Sequence, residues 1–248
     1  MPDNIALHED HSPEAIAERL SAGRRHSYLG DAILGAIDGC VTTFAVVSGV
    51  MGANLPHGVV LILGFANLLA DGFSMAAGNY QKTKSDRQRV EQARRIEEMH
   101  IDKIPEGERE EIRQIFSRKG FGGEILEEIV RVITMDRKNW VDTMLTEELG
   151  LQIEGPSPMK AGITTFFSFF AVGMIPLLPF LLSLPFPSQT IFMISATATG
   201  LAFFLVGLMK GKVLGHSLLR SGLDTLAVGG GAAILAYLVG KWLKSYAA

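Results

Sequence analysis

The chain has 248 residues, 48% of them hydrophobic and 20% charged, with a net charge of -3. Its single cysteine, Cys40, excludes an intramolecular disulfide and any cysteine-built zinc site, and it sits in an apolar helix where a small buried residue is the better reading. The averages conceal two unlike materials: residues 161–209 carry no charged side chain, whereas 82–158 carry fourteen Lys/Arg and seventeen Asp/Glu. The chain is therefore part membrane and part water-soluble, and basic residues interleaved with more acids argue against nucleic-acid binding.

The first thirty residues are polar and lack the apolar core of a cleavable signal peptide, so the first membrane helix is expected to act as its own insertion signal. A spanning helix needs about 20 mainly apolar residues. That predicts span one over 32–53, a turn at 54–57 containing Pro56, and span two over 58–80. No Pro or Gly occurs between 81 and 100, so span two is expected to continue as a helix until Pro105 and Gly107 break it. Three amphipathic helices follow, over 108–118, 124–134 and 136–149, with apolar residues at three- and four-residue spacing. The uncharged stretch is too long for one span, and Pro185-Phe186-Pro187 divides it into span three at 161–182 and span four at 188–209. Span five covers 223–243. Pro176 and Pro179 are expected to kink span three, and Gly229 to Gly231 either to loosen span five or to serve packing.

Lys/Arg bias sets the topology. Arg24 and Arg25 precede span one, Lys82, Lys84, Arg87 and Arg89 follow span two, Lys160 precedes span three, and Lys210, Lys212 and Arg220 lie between spans four and five. This places the N-terminus and the charged block in the cytoplasm, with Lys241 and Lys244 as the exception at the opposite end. The expected fold is an all-α membrane protein with five transmembrane helices and a cytoplasmic three-helix metal-binding domain inserted between spans two and three. Its boundaries are 1–29 (cytoplasmic N-terminal segment), 30–81 (spans one and two), 82–158 (cytoplasmic domain) and 159–248 (spans three to five).

Asp38 and Asp71 fall inside predicted spans. A charge at bilayer depth costs a disputed ~2.5 kcal/mol or more, so it usually marks an ion or proton path. If the hairpin turns about Pro56, Asp38 is level with Met75, and Asp71 lies about 6 Å further toward the turn. Asn67, Asp71 and Met75 repeat every four residues and form a ladder opposite Asp38. The bland alternatives are a capping or packing role for Asp38, core filling for Met75 and an interhelical hydrogen bond for Asn67. In the charged block, Glu97 and His100 are three residues apart, as are Glu108 and Glu111, while Met144, Glu147 and Glu148 share a face. Such pairs inside a helical bundle build carboxylate-rich metal sites, and their donors suit Fe(II) or Mn(II) better than a thiolate metal. The competing reading is a solvated helix face on which Arg109 and Arg113 neutralise the glutamates.

The order of these features resembles the vacuolar iron transporter family. It comprises a Gly-x-x-Asp-Gly span, Ser74-Met75-Ala76-Ala77-Gly78-Asn79-Tyr80, the Glu-rich helices, Trp140-Val141-Asp142-Thr143-Met144 with Glu148-Leu149-Gly150-Leu151, and Gly173-Met174-Ile175-Pro176-Leu177-Leu178-Pro179-Phe180. The resemblance runs from about Gly30 to the C-terminus. It implies a five-span homodimer that exchanges cytosolic Fe(II) for protons, with a cytoplasmic helical domain that collects metal. It implies path residues at Asp38 and Met75 and metal ligands at Glu97, Glu108, Glu111, Met144 and Glu148. Two positions depart from the pattern. Asn67 stands where a relative would carry Glu, a charge that Asp71 would replace one turn inward. His100 stands where a further Glu is expected, and a neutral histidine still ligates; a shift of register would bring in Glu98 in place of Glu97.

The resulting expectation is a multi-pass transporter and not an enzyme. Its partners are a divalent metal, protons and membrane lipid. Fe(II) is the substrate, with Mn(II) or Zn(II) as further occupants of the cytoplasmic site. A bacterial inner membrane fits, as does a vacuolar membrane with the same topology. The rival is a membrane-anchored di-iron enzyme or metal sensor, but only one Glu-x-x-His is present where a ferritin-like site has two, and Asp38 and Asp71 would then have no role.

Overall fold

The structure, a computed structural model, describes residues 11–21, 26–182 and 184–244. Arg24 and Arg25, on which part of the topology rests, lie outside them. The described residues are helical, with no strand among them: α1 Pro13–Ser21, α2 Leu29–Gly52, α3 His57–Lys103, α4 Pro105–Arg118, α5 Gly123–Met135 and α6 Arg137–Thr143, which runs into a π-helical turn at Met144–Glu148. Then follow α7 Pro158–Gly173, a 3-10 turn at Ile175–Leu177, α8 Leu178–Leu181, α9 Ser188–Leu214 and α10 Leu218–Leu243. Five stretches are long and apolar enough to cross a membrane: Leu29–Gly52, His57–Lys103, Pro158–Leu181, Ser188–Leu214 and Leu218–Leu243.

The predicted and observed ends differ where a polar residue does not stop a helix. α10 begins at Leu218, five residues before the predicted span, and so takes in Arg220. Pro105 starts α4 instead of merely ending α3, because the first helical position needs no N–H donor. The third amphipathic segment is not one regular helix: Asp136 caps it by accepting from the Asn139 N–H at 2.7 Å, and from Met144 it widens into the π-turn.

The chain divides into two compact units, one of residues 28–86 and 156–248, the other of 1–27 and 87–155. In the first, α2 is the central helix. A Cβ at Gly35 would lie 2.3 Å from the Thr165 carbonyl oxygen, and one at Gly39 would lie 2.3 Å from that of Phe169. On the other flank, a Cβ at Gly240 would stand 2.0 Å from the Gly49 carbonyl oxygen. Small residues four apart let helix backbones meet directly, the usual device where the hydrophobic effect cannot drive helices together. Val47, Val60, Leu68, Phe169 and Leu177 are fully buried around these contacts. Ile62, Phe73, Phe167 and Leu235 stay exposed, as a lipid-facing surface requires. The third span is interrupted at Pro176, as its prolines predict, and Ser195 donates to the Pro176 carbonyl at 2.7 Å. The fifth span is unbroken through its glycines, and Gly229 makes room for the Phe203 ring, a packing role.

The second unit packs the Arg87–Lys103 part of α3, α4, α5, α6 and the π-turn around Ile101, Ile112, Leu126, Val130, Trp140, Val141, Met144 and Leu145. The three- and four-residue apolar spacing produces this core directly.

Gly35→Ala is expected to lower stability in detergent by about 1–3 kcal/mol through overpacking. Gly78→Ala, where nothing lies within 4 Å of the added carbon, is expected to cause no loss. Thermal unfolding of the two variants side by side checks the backbone contact.

Candidate metal centre

Glu97 lies near the end of α3, His100 follows one turn later, and Glu108 lies in the first turns of α4. One potential ligand atom from each falls within 4.8 Å of the others. His100 Nδ1 is 3.3 Å from a Glu108 carboxylate oxygen. Glu97 and Glu108 are 5% and 1% exposed, and each has one buried oxygen with no hydrogen-bond partner. Buried polar atoms are rarely left unpaired, and a bound ion is one of the standard reasons. Glu97 rather than Glu98 faces this cluster; Glu98 is half-buried and its backbone carbonyl accepts from Arg137.

The surrounding cations are engaged elsewhere. Arg109 pairs with Glu106 and lies over the Trp140 ring, 5.5 Å from its centroid. Arg113 holds Glu110 and, at 2.7 Å, Glu127. Lys119 takes Glu147, Arg137 takes Asp102 at 2.6 Å, and Arg94 with Lys138 holds Asp142. Among the described residues Glu97 and Glu108 have no lysine or arginine partner, and Arg109 and Arg113 pair with Glu106, Glu110 and Glu127 instead.

Burial pushes the Glu108 carboxyl up from 4.5 to about 7, helped by the charges of Glu111 and Glu97, a hydrogen bond to Glu97, and the charge of Glu148. Glu97 is also raised by burial, with His100 and the Glu108 hydrogen bond acting against it. Glu148 is raised by desolvation and then by the charges of Glu111 and Glu97. Glu111 and Glu148 are exposed residues whose carboxylates act on the cluster through space. Met144 is fully buried within the apolar core of the unit. The π-turn that begins at Met144 separates two neighbouring acids, Glu147 pairing with Lys119 and Glu148 joining the cluster's field; such turns often occur at functional sites. Carboxylates with one imidazole form an oxygen-rich, thiolate-free donor set for a divalent metal of the Fe(II), Mn(II) or Zn(II) kind.

A second acidic group lies within the spans. Asn67 Nδ2 donates to Thr42 Oγ1 at 3.2 Å and Thr43 Oγ1 at 3.3 Å. In an antiparallel pair this register sets Asp38 level with Asp71, and the two carboxylates interact through their charges. The hairpin therefore turns about two residues earlier than Pro56 suggests, which shifts the pairing by one helical turn, because α2 already ends at Gly52 and Asn54 takes up a positive φ of 59°. Met75 is half-buried against the apolar core of its unit. Asn67 makes the interhelical hydrogen bonds of the bland reading, yet they fall in the same polar stripe.

Sequence reasoning missed Asp31, one residue outside the predicted span. Asn79 Nδ2 donates to Asp31 Oδ1 and to Thr165 Oγ1, both at 2.8 Å, joining the first three spans. Asp31 precedes Asp38 by seven residues, two turns on the same helix face, about 10 Å away. The seven-residue spacing was the available signal.

A model of the VIT family matches residues 29–241. The chain is 32% identical over 225 residues to the vacuolar iron transporter of Toxoplasma gondii, covering 88% of this chain and 74% of that protein. It is 32% identical over 219 residues to vacuolar iron transporter 2 of Oryza sativa subsp. japonica, covering 87% of each. With vacuolar iron transporter 1 of Arabidopsis thaliana it shares 31% over 214 residues, covering 85% of this chain and 84% of the relative. By the family match over most of its length and its identity to these relatives, the chain belongs to the vacuolar iron transporter family.

Proposed function

We propose that the protein is a membrane transporter that moves Fe(II), with Mn(II) as a second substrate, out of the cytosol in exchange for protons. In this reading residues 82–158 form a cytoplasmic metal-binding domain and the N-terminus is cytoplasmic. The protein works as a homodimer in a bacterial inner membrane, or in a vacuolar membrane of the same topology. The observation that carries it is the cluster of Glu97, His100 and Glu108, whose carboxylates have no lysine or arginine partner among the described residues, whereas Glu106, Glu110, Glu127 and Glu147 each have one. A divalent cation supplies the missing charge. Glu111 and Glu148 add field and further oxygens, and Met144 supplies a thioether at the core side.

Within the spans, Asp38 and Asp71 bind the metal in turn, with Met75 as a soft ligand, Asn67 fixing the register and Asp31 at the cytoplasmic end of the same stripe. Two carboxylates at one depth repel each other unless a metal or a proton sits between them. A cation entering from the cytosol relieves that repulsion, and protons arriving from an acidic far side replace it. Exchange follows from competition for the same oxygens. The relatives are named as transporters, which speaks against the di-iron enzyme, and two facing acids inside the membrane have no part in a soluble redox site.

In proteoliposomes with an acid interior, Fe(II) uptake is expected in the wild type and is expected to fall to background in Asp38→Ala. Uptake that survives the substitution removes Asp38 from the path.

The pH dependence of metal binding follows from Glu108. With its carboxyl raised from 4.5 to about 7, the metal-free folded state holds a proton between those values that the unfolded state does not. Metal-free stability is therefore greatest on the acid side of this window and declines as pH rises through about 7. Metal binding runs the other way, because the ligand must be deprotonated. Calorimetry in buffers of different ionisation enthalpy is expected to show Mn(II) affinity rising up to about pH 7, with proton release that fades above it. Glu108→Gln is expected to abolish that release and weaken binding by more than the roughly tenfold that loss of an outer-shell partner causes.

A further inference from the structure

A cleft of ≈ 820 Å³ opens at the end of the membrane unit where the first two spans are joined. The last turn of α2, the first turn of α9 and the last turns of α10 enclose it. Its polar lining consists of Asn54, Ser188, Gln189, Tyr237, Lys241 and Lys244. Among the described residues no carboxylate lines the cleft. Among the described residues neither lysine belongs to an ion pair. These two lysines are also the ones that break the charge bias of the chain, whose other loop cations gather at the opposite end of the spans.

The cleft is held by rigid parts. Tyr237, Lys241 and Lys244 repeat at four and three residues along one face of α10. A Cβ at Gly52 would meet the Tyr237 carbonyl oxygen at 2.3 Å and the Lys241 nitrogen at 3.2 Å, so the ends of α2 and α10 are locked together. The Tyr237 ring stacks on Phe192 with centroids 6.3 Å apart. The first turn of the 27-residue α9, with its N–H groups and partial positive charge, opens on the same space through Ser188 and Gln189. Two ammonium groups, a helix N-terminus, a phenol, two amides and a hydroxyl, with no acid among them, make a site for a compact anion with several acceptor oxygens.

We infer that this cleft binds a phosphate group, carried by an anionic lipid headgroup or free in solution. Lysines act as point charges toward phosphate, and the volume is that of a small-ligand site. Tyrosine near a helix end fits headgroup depth. The site is separate from the acidic stripe and does not depend on the transported ion.

The test is thermal unfolding of the full-length, metal-free protein in neutral detergent. Wild type is compared with Lys241→Gln/Lys244→Gln, with added phosphatidylglycerol, phosphatidylcholine, millimolar inorganic phosphate, or chloride at equal ionic strength. At saturating ligand the wild type is expected to gain roughly 5 °C. A gain from phosphatidylglycerol alone identifies a lipid headgroup; a gain from inorganic phosphate over chloride identifies the free ion. In either case the gain must vanish in the glutamine pair and persist in Lys241→Arg/Lys244→Arg. Should the glutamine pair itself unfold, the single Lys244→Gln, at an exposed helix end, carries the same comparison. No gain in the wild type, or an equal gain in the glutamine variant, overturns the assignment.

Discussion

Carboxylates removed from water and given no counter-cation impose the main constraint on this molecule. A lone buried carboxylate is costly, and nearby like charges make it costlier. The fold nonetheless brings Glu97 and Glu108 together and surrounds them with the fields of Glu111 and Glu148. It then commits Arg109, Arg113 and Lys119 to other acids. A proton offsets that cost at low pH, and in the proposed function a divalent cation does so at neutral pH.

The same logic recurs inside the spans in simpler form. Asp38 faces Asp71 because α2 ends early and Asn67 fixes the register against Thr42 and Thr43. What holds α2 in place is backbone contact: Gly35 and Gly39 on the third span, and Gly49 against Gly240 on the fifth. Helices that touch through glycine have little freedom to slide, since a shift by even one residue would push a side chain into a carbonyl. An acid on such a helix is held at one depth. The Asn79 link from Asp31 to Thr165 extends this rigidity to the start of the span.

Ion pairing divides the charged unit into two populations. Most pairs are exposed, such as Arg131 with Glu128, and surface pairs of this kind contribute little to stability. Their role here is subtraction: each arginine held by one glutamate is unavailable to the cluster. The π-turn works similarly: Glu147 pairs with Lys119, while the charge of Glu148 acts on Glu97 and Glu111. The stability of the unit comes from its apolar core, in which Trp140, Met144 and Ile112 are almost wholly enclosed.

The sequence by itself determined the five apolar helices, the charged helices between the second and third, and the break at Pro176. These depend on hydrophobic period and proline chemistry, which are local. It also singled out the acids, because a charge in an apolar run is conspicuous. Only the tertiary structure decided that Asp38 lies level with Asp71 and not Met75, since register depends on where a turn closes and which side chains bond across it. Only packing decided that Glu97, not Glu98, faces Glu108, and that Met144 belongs to the core. Both glutamates lie on the helix from His57 to Lys103, and it is Glu97 that is buried beside Glu108 of α4. Asp31 left only its seven-residue spacing from Asp38 as a sign, because its partners, Asn79 and Thr165, are far along the chain and meet it only when the first three spans pack.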